Sequence, residues 1–320
     1  VGITDSSLCV YKDLYGQYMS KVNLKNGRFD GKFIRWWENG QIHIVRNYKD
    51  GKLDGKQSDF WSDGNRYFEK NYKNDKLDGK WIEWHQNGQL NFNSNYINDK
   101  IDGEKNLWNN NGQLIAKKNY KNGKLDGKTT TWFVNGYKET LYKDGIEVNT
   151  TRYEFIDSRI FMKINYINGK QISKTVFRYH PNNSPKSEIN RKYNELDGKW
   201  TEWYANGLKL SGGNYKDGMK DGKWTYWQKN DQKIWLDGQI FSEKYYLEGN
   251  LVGESKYSYH ENGQISSEEH YLDGKLEGIG TYWHDNSQKG SEGGYKEGKQ
   301  DGKWTQWYEN GMKWTDRNYK

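Results

Sequence analysis

Six histidines, one cysteine and a recurrent Asp-Gly pair are the groups in this 320-residue chain whose types could perform chemistry. Metal ligation needs imidazoles, thiolates or carboxylates that converge at short spacing. His43, His85, His180 and His284 have no close His or Cys neighbour, and His260 and His270 stand ten residues apart on one expected hairpin. All read as surface histidines, so no metal site is assigned. Catalysis by Cys9 would need a base beside the thiol, and the sequence around it supplies none. A single cysteine also excludes an intrachain disulfide framework.

The Asp-Gly pairs raise calcium, as in Asn74-Asp75-Lys76-Leu77-Asp78-Gly79. An EF-hand alternates acidic positions and closes on a distal Glu, whereas calcium β-rolls repeat a glycine-rich nonapeptide. Neither order occurs, and the Lys that follows nearly every Asp-Gly opposes a cation. Turn chemistry accounts for these acids. No glycine loop has the spacing that cradles phosphate. With no residue constellation behind a reaction, the chain is expected to be non-enzymatic and to need no cofactor.

The spacing of the Asp-Gly pairs says more than their chemistry. Gly31, Gly55, Gly79, Gly103 and Gly127 follow one another at 24 residues, and Gly198 to Gly222 and Gly278 to Gly302 repeat the step. A fixed period of this length marks stacked repeats, each burying its apolar face only against its neighbours. A clear unit opens at Asp78 (DGKWIEWHQNGQLNFNSNYINDK), another at Asp197 (DGKWTEWYANGLKLSGGNYKDG) and another at Asp301 (DGKWTQWYENGMKWTDRNYK). Each has two runs rich in aromatics and Thr, parted by turn dipeptides such as Asn87-Gly88, Asn206-Gly207, Asp217-Gly218 and Asn310-Gly311. Such dipeptides accept the positive φ of tight hairpin turns. Two turns per unit give two strands per unit, and no helical period is present. The expectation is an all-β fold: an elongated single-layer antiparallel sheet, or β-hairpin solenoid, of about twelve units. At two strands per unit it would be on the order of 115 Å long.

Equivalent positions in stacked hairpins lie above one another. The fifth residue after the Asp-Gly glycine is aromatic at Trp36, Phe60, Trp84, Trp108, Trp132, Trp203, Trp227, Trp283 and Trp307, which predicts a structural ladder. A second column is expected from Tyr48, Tyr72, Tyr96, Tyr120, Tyr142, Tyr166, Tyr215, Tyr246, Tyr271, Tyr295 and Tyr319. Strand alternation sends a further set to the opposite face. These are Phe33, Trp37, Trp61, Trp81, His85, Phe133, Trp200, Tyr204, Trp224, Trp304 and Tyr308, the candidates for partner binding. One layer does not bury both faces equally, so this strip is expected to be exposed unless the sheet curls over it.

The repeated pattern DGKW-x-x-W-Y-x-NG-Q-L followed by Y-K-D-G-K resembles the bacterial variant of the MORN repeat, as in the YwqK antitoxin-component family. The resemblance covers residues 21–320 and implies a stack of antiparallel hairpins that contacts proteins or lipids. Choline-binding repeats also use Trp, Tyr and Gly, but with a shorter period and a Gly-Trp-x(n)-Trp-Tyr-Tyr pattern that this chain does not follow.

The pattern breaks in three places. Residues 1–20 lack the signature and are expected to be a cap or a leader remnant. Residues 137–196 read as degenerate repeats, and 231–238 as an insertion that lengthens one hairpin. Mean hydropathy of -1.24 would suggest disorder, but 16 Trp, 26 Tyr and 10 Phe supply the burial that disordered chains lack. The net charge of +7 comes from 50 basic and 43 acidic residues, too mixed for a dedicated nucleic-acid binder. No apolar run is long enough to span a membrane. The Asn, Lys and Ile usage suits a bacterial source, and a start at Val1 fits a trimmed product, which leans toward a secreted or surface location over the cytoplasm. The function expected is a non-catalytic protein-binding or scaffold role, antitoxin-like through the resemblance. The alternative is a secreted or cell-surface adhesin-like module binding glycans or host receptors.

Overall fold

The protein was analysed as a computed structural model that describes residues 6–229 and 237–320. Its regular structure is entirely β, with 30 strands and no helix among the described residues. The chain divides into two compact units, Val1–Glu154 with Tyr166–Lys170 and Phe155–Asn165 with Gln171–Lys320. Within each unit, strands pair antiparallel with their sequence neighbours and build successive hairpins on one plan.

The hairpin Lys76–Trp84 and Leu90–Ile97 shows the plan. Its first turn closes through His85 N–H to the Gln89 carbonyl (2.8 Å) and Gly88 N–H to the His85 carbonyl (2.9 Å). The second turn places Asn98 and Asp99 at φ of 48° and 66°, the paired left-handed geometry that matches strand twist and that Asn and Asp tolerate. The signature Asp-Gly pair is not a hairpin turn. Gly79 has φ of 112° in mid-strand, and the register shifts between Lys70↔Trp81 and Tyr72↔Leu77. That is a β-bulge, which bends and twists the strand once per unit and needs a residue without Cβ at the left-handed position. The period visible in the sequence is therefore a period of bulges.

The acids at these bulges and turns are engaged by backbone. Asp102 Oδ2 accepts the Asn122 N–H at 2.9 Å, and Asp75 and Asp99 accept Leu53 N–H and Leu77 N–H, both at 2.7 Å. Each bond joins one second turn to the next. Among the described residues no group of three acidic, His or Cys side chains could hold a metal ion.

Residues 6–25 differ from the expected cap. Ser6–Lys12 pairs with Tyr18–Lys25 through a turn closed by Asp13 N–H to Gln17 O and Gly16 N–H to Asp13 O. Trp37 N–H to Gln41 O and Gly40 N–H to Trp37 O make the same pair of bonds 24 residues later. This segment is a further hairpin in the repeat frame that has lost the signature side chains but kept the backbone geometry. Residues 1–5 of the expected cap lie outside the described residues.

In the expected insertion, Gln228 N–H bonds Gln239 O at 2.7 Å and Gly238 N–H bonds Gln228 O at 2.9 Å. These are the closing bonds of a first turn; of the expected insertion, 231–236 lie outside the described residues. Through 137–196 the strands persist as Gly136–Lys143, Ile146–Ile156, Arg159–Ile167, Lys170–Tyr179 and Pro185–Lys192. Two connections there shorten: Val134 and Asn135 join Phe133↔Gly136, and Asp157 and Ser158 form a left-handed pair at φ of 49° and 63°.

Candidate functional site

Two sets of side chains compete for the description of a site: the tryptophans that follow each bulge and the residues that open each first turn. The first set forms the packed face. Trp224 is 2% exposed and Trp304 5%, among the few fully buried apolar residues described. Trp224 meets Tyr215 at 5.1 Å edge-on and Tyr246 at 6.5 Å, and Trp304 meets Tyr295 at 5.1 Å and Tyr319 at 6.4 Å, also edge-on. Edge-to-face contacts at these separations are favoured by the ring quadrupole. Their Nε1 groups donate to the Asn214 and Gly294 carbonyls at 3.0 and 2.9 Å. Trp81 packs on Phe92 and Tyr96 beneath the Lys70 ammonium at 3.9 Å, and Trp200 packs on Tyr215. Burial lowers the Lys70 pKa and raises those of Tyr96 and Tyr215.

The exposed strip expected from alternation is thus corrected for Trp224 and Trp304. Both are core, and Trp81, Trp200 and Phe33 are half-buried. The expected ladder is corrected as well. Trp84, Trp108, Trp132, Trp203, Trp227, Trp283 and Trp307 do not stack ring on ring, and neither do Trp36 and Phe60. Ring contacts run instead through the post-bulge tryptophans and the tyrosine column. Alternation gave the faces, but the bulge at the strand end (Glu83/Trp84, Tyr226/Trp227) offsets those aromatics from one unit to the next.

What six of the ladder residues share is a backbone role. Six first-turn residues reach across to a ladder carbonyl in the following hairpin. Trp37 Nε1 donates to Phe60 O at 3.2 Å, His85 Nε2 to Trp108 O at 3.1 Å and His180 Nε2 to Trp203 O at 2.8 Å. Tyr204 Oη donates to Trp227 O at 3.3 Å, His260 Nε2 to Trp283 O at 2.8 Å and His284 Nε2 to Trp307 O at 3.0 Å. A carbonyl accepts only, so each of these imidazoles carries its proton on Nε2. His270 bonds Ser255 Oγ through Nδ1 at 2.8 Å, so it and His260 serve separate partners. Trp61 Nε1 is buried without a partner.

First turns in each compact unit carry a feature that the sequence reading missed. The residue six places on lies against the turn residue: Trp37 and His43 stack at 3.6 Å, Trp61 and Tyr67 at 4.4 Å, Tyr308 and Trp314 at 5.8 Å. The recurrent six-residue offset between large side chains was the available signal. These pairs are partly open, Tyr308 50% and Trp314 55% exposed. Phe133 is also exposed, under the Arg152 guanidinium at 5.0 Å.

Ionisable clusters elsewhere are closed on themselves. Glu243, 6% exposed, accepts Lys223 Nζ at 2.6 Å and the Tyr245 and Tyr257 hydroxyls at 3.3 Å. Burial first, and this carboxylate next, raise the Tyr257 phenol. Glu269 accepts Tyr271 and Tyr282 at 2.7 Å, and burial followed by that bond pushes Tyr271 up to about 12. Phenols held this way stay neutral donors and are poor bases.

Six segments match the family profile described as the MORN repeat variant: residues 29–50, 53–74, 77–98, 101–122, 256–273 and 300–320. No curated protein matches the chain significantly. Among solved structures, the TcdB2-TccC3-Cdc42 crystal structure aligns with 89% of this chain and 17% of its own at 12% identity and a TM-score of 0.30. The Tc holotoxin pore of Photorhabdus luminescens carrying a TccC3 mutation aligns with 89% of this chain and 16% of its own at 12% identity and a TM-score of 0.29. This chain spans less than a fifth of the length of either, and likenesses at those scores carry no argument about its role. What the sequence carries, at six positions, is the MORN repeat variant, in a chain folded as a repeat scaffold of antiparallel hairpins.

Proposed function

We propose that the chain is a non-catalytic scaffold whose first-turn aromatic pairs grip a protein segment. One observation carries this reading. The aromatic pairs Trp37–His43, Trp61–Tyr67 and Tyr308–Trp314 stay partly open at the turns. Rigid aromatic faces of this kind give contact area at small entropic cost, which is why interfaces are enriched in them. The groups that could have done chemistry are spent on bracing: imidazoles on carbonyls, turn acids on backbone N–H groups, buried carboxylates on Lys and Tyr. That distribution supports a role without catalysis or cofactor. An antitoxin-like form, in which the gripped segment belongs to a toxin, is the version suggested by the family resemblance.

The test places a photo-crosslinking residue at Tyr67 or Trp314 and, as controls, at Ile97 or Leu272, exposed residues at second turns. Protein adducts from extracts of the source cells at the first two positions, and not at the controls, are expected. No adducts, or equal adducts at all four, would overturn the reading. Glycan binding lost on Trp314→Ala would move it to the adhesin-like alternative.

A further inference from the structure

The hairpins spanning 275–296 and 299–319 form an open surface slot of about 770 Å³, lined by Trp283, Trp307, Tyr308 and Trp314 among others. Gly290 lines the slot and leaves room in it. In three other hairpins the residue six after the turn residue, His43, Tyr67 or Trp314, lays a ring against the turn residue; at 290 there is no side chain. A Cβ there would stand 3.1 Å from His284 Nε2.

Two of the ladder aromatics carry a cation sent from the preceding hairpin. The Arg66 guanidinium lies over Trp84 at 5.8 Å and the Lys209 ammonium over Trp227 at 5.2 Å, each from a residue 18 positions earlier. The residue 18 before Trp307 is Lys289, and it turns to Glu292 instead. Trp307 is therefore left without the cation that Trp84 and Trp227 hold, although a lysine stands at the same offset. Glu309 is the one charged residue among those lining the slot, and no Lys or Arg lines it. Aromatic faces with one carboxylate select a cation with apolar flanks.

We propose that this slot binds a lysine or arginine side chain of a partner segment, in the position the chain's own cations take over Trp84 and Trp227. The inference rests on the protein-binding reading and names the chemistry of the contact.

The test is an NMR titration of the whole protein with N-acetyl-arginine amide and N-acetyl-lysine amide, following the Trp283, Trp307 and Trp314 indole N–H signals. N-acetyl-norleucine amide is the neutral control. Saturable shifts at millimolar concentration are expected for the cationic probes only, weakened about threefold by Glu309→Gln. Gly290→Leu fills the notch and should abolish them. Because that variant can perturb packing, Glu292→Ala provides a second measurement: it frees Lys289 to cover Trp307 and should weaken binding without touching the slot. Equal shifts with the neutral probe, no shifts with any probe, or unchanged affinity in both Gly290→Leu and Glu292→Ala would overturn the proposal. Adducts persisting at Tyr67 under any of those outcomes would leave the broader scaffold reading standing.

Discussion

The indole of Trp304 lies directly on the backbone of Gly293, so close that any Cβ at 293 would overlap the ring, and Trp224 lies on Gly213 in the same way. Neither glycine has a left-handed φ, so the requirement is space and not backbone freedom. At the position paired with Trp81 stands Lys70, and with Trp200, Ile189; both tryptophans stay less buried. A glycine opposite the post-bulge tryptophan is thus what lets it sink to full burial. Gly293→Ala and Gly213→Ala should each cost about 1–3 kcal/mol through overpacking. Gly212→Ala is the control, because its Cβ would meet Trp200 O at 3.5 Å and the Trp227 ring at 3.6 Å, ordinary contacts. Urea denaturation and near-UV dichroism report both. Equal losses at 212 and 213 would refute the packing account.

The hydrogen bond from each first-turn residue to the next hairpin should be measurable singly. Tyr204→Phe removes one donor and leaves the ring; His284→Phe removes another. Each should cost about 0.5–1.5 kcal/mol, with the orphaned carbonyl as part of the loss. Hydrogen exchange should localise the loosening to the joint that loses its bond, since repeat stacks couple mainly between neighbours. Loosening spread evenly over the unit would contradict that. Excess EDTA should leave the melting temperature unchanged, because these imidazoles are committed to carbonyls.

Much of this fold was legible because the period is carried by residues with one conformational use. Asn98-Asp99 and Asp-Gly pairs at turns need positive φ, and few residues supply it. The sites were less legible for two reasons. Alternation locates a face, but it does not say which face is covered; that depends on neighbours such as Gly213 and Gly293 in the facing strand. Alternation also assumes an unbroken strand, whereas a bulge at the strand end offsets the stack, so Phe60 and Trp108 offer carbonyls to the preceding turns and not rings to their counterparts. Residues 6–25 were illegible because their turn reads Asp13-Leu14-Tyr15-Gly16, without the Asn-Gly or Asp-Gly dipeptide, although Asp13 Oδ1 accepts the Tyr15 and Gln17 N–H groups there.

Asp75 and Asp99 test whether the turn acids brace or bind. Each sits at φ near 67° and 66° and accepts an N–H from the preceding hairpin. Asp99→Asn keeps an acceptor and a residue that tolerates that φ, so it should lose little. Asp99→Ala loses both and should cost about 1–2 kcal/mol. Millimolar calcium should leave the wild-type melting curve in place. A calcium-dependent rise that Asp99→Asn abolishes would show that the acids bind a cation after all.

Two groups give the stability a pH dependence in separate windows. His43, stacked on Trp37, has its pKa lowered below 6.5, by burial first and then by Arg35, with Arg46 adding to the effect and Asp59 opposing it. Protonation therefore favours the unfolded chain. The contribution is intact above 6.5 and declines as pH falls toward the lower folded value. Asp316 is held at about 2 against an ordinary 3.8, mainly by Lys313 and further by Thr305 and Lys303. Its contribution is complete above 3.8 and disappears as pH falls through about 2. His43→Phe should flatten the upper window while keeping a ring on Trp37, and Asp316→Asn should flatten the lower one. Both are exposed enough for salt to shrink the effects. Titration by NMR in each variant checks the assignment, and an upper window unchanged in His43→Phe would show that another group sets it.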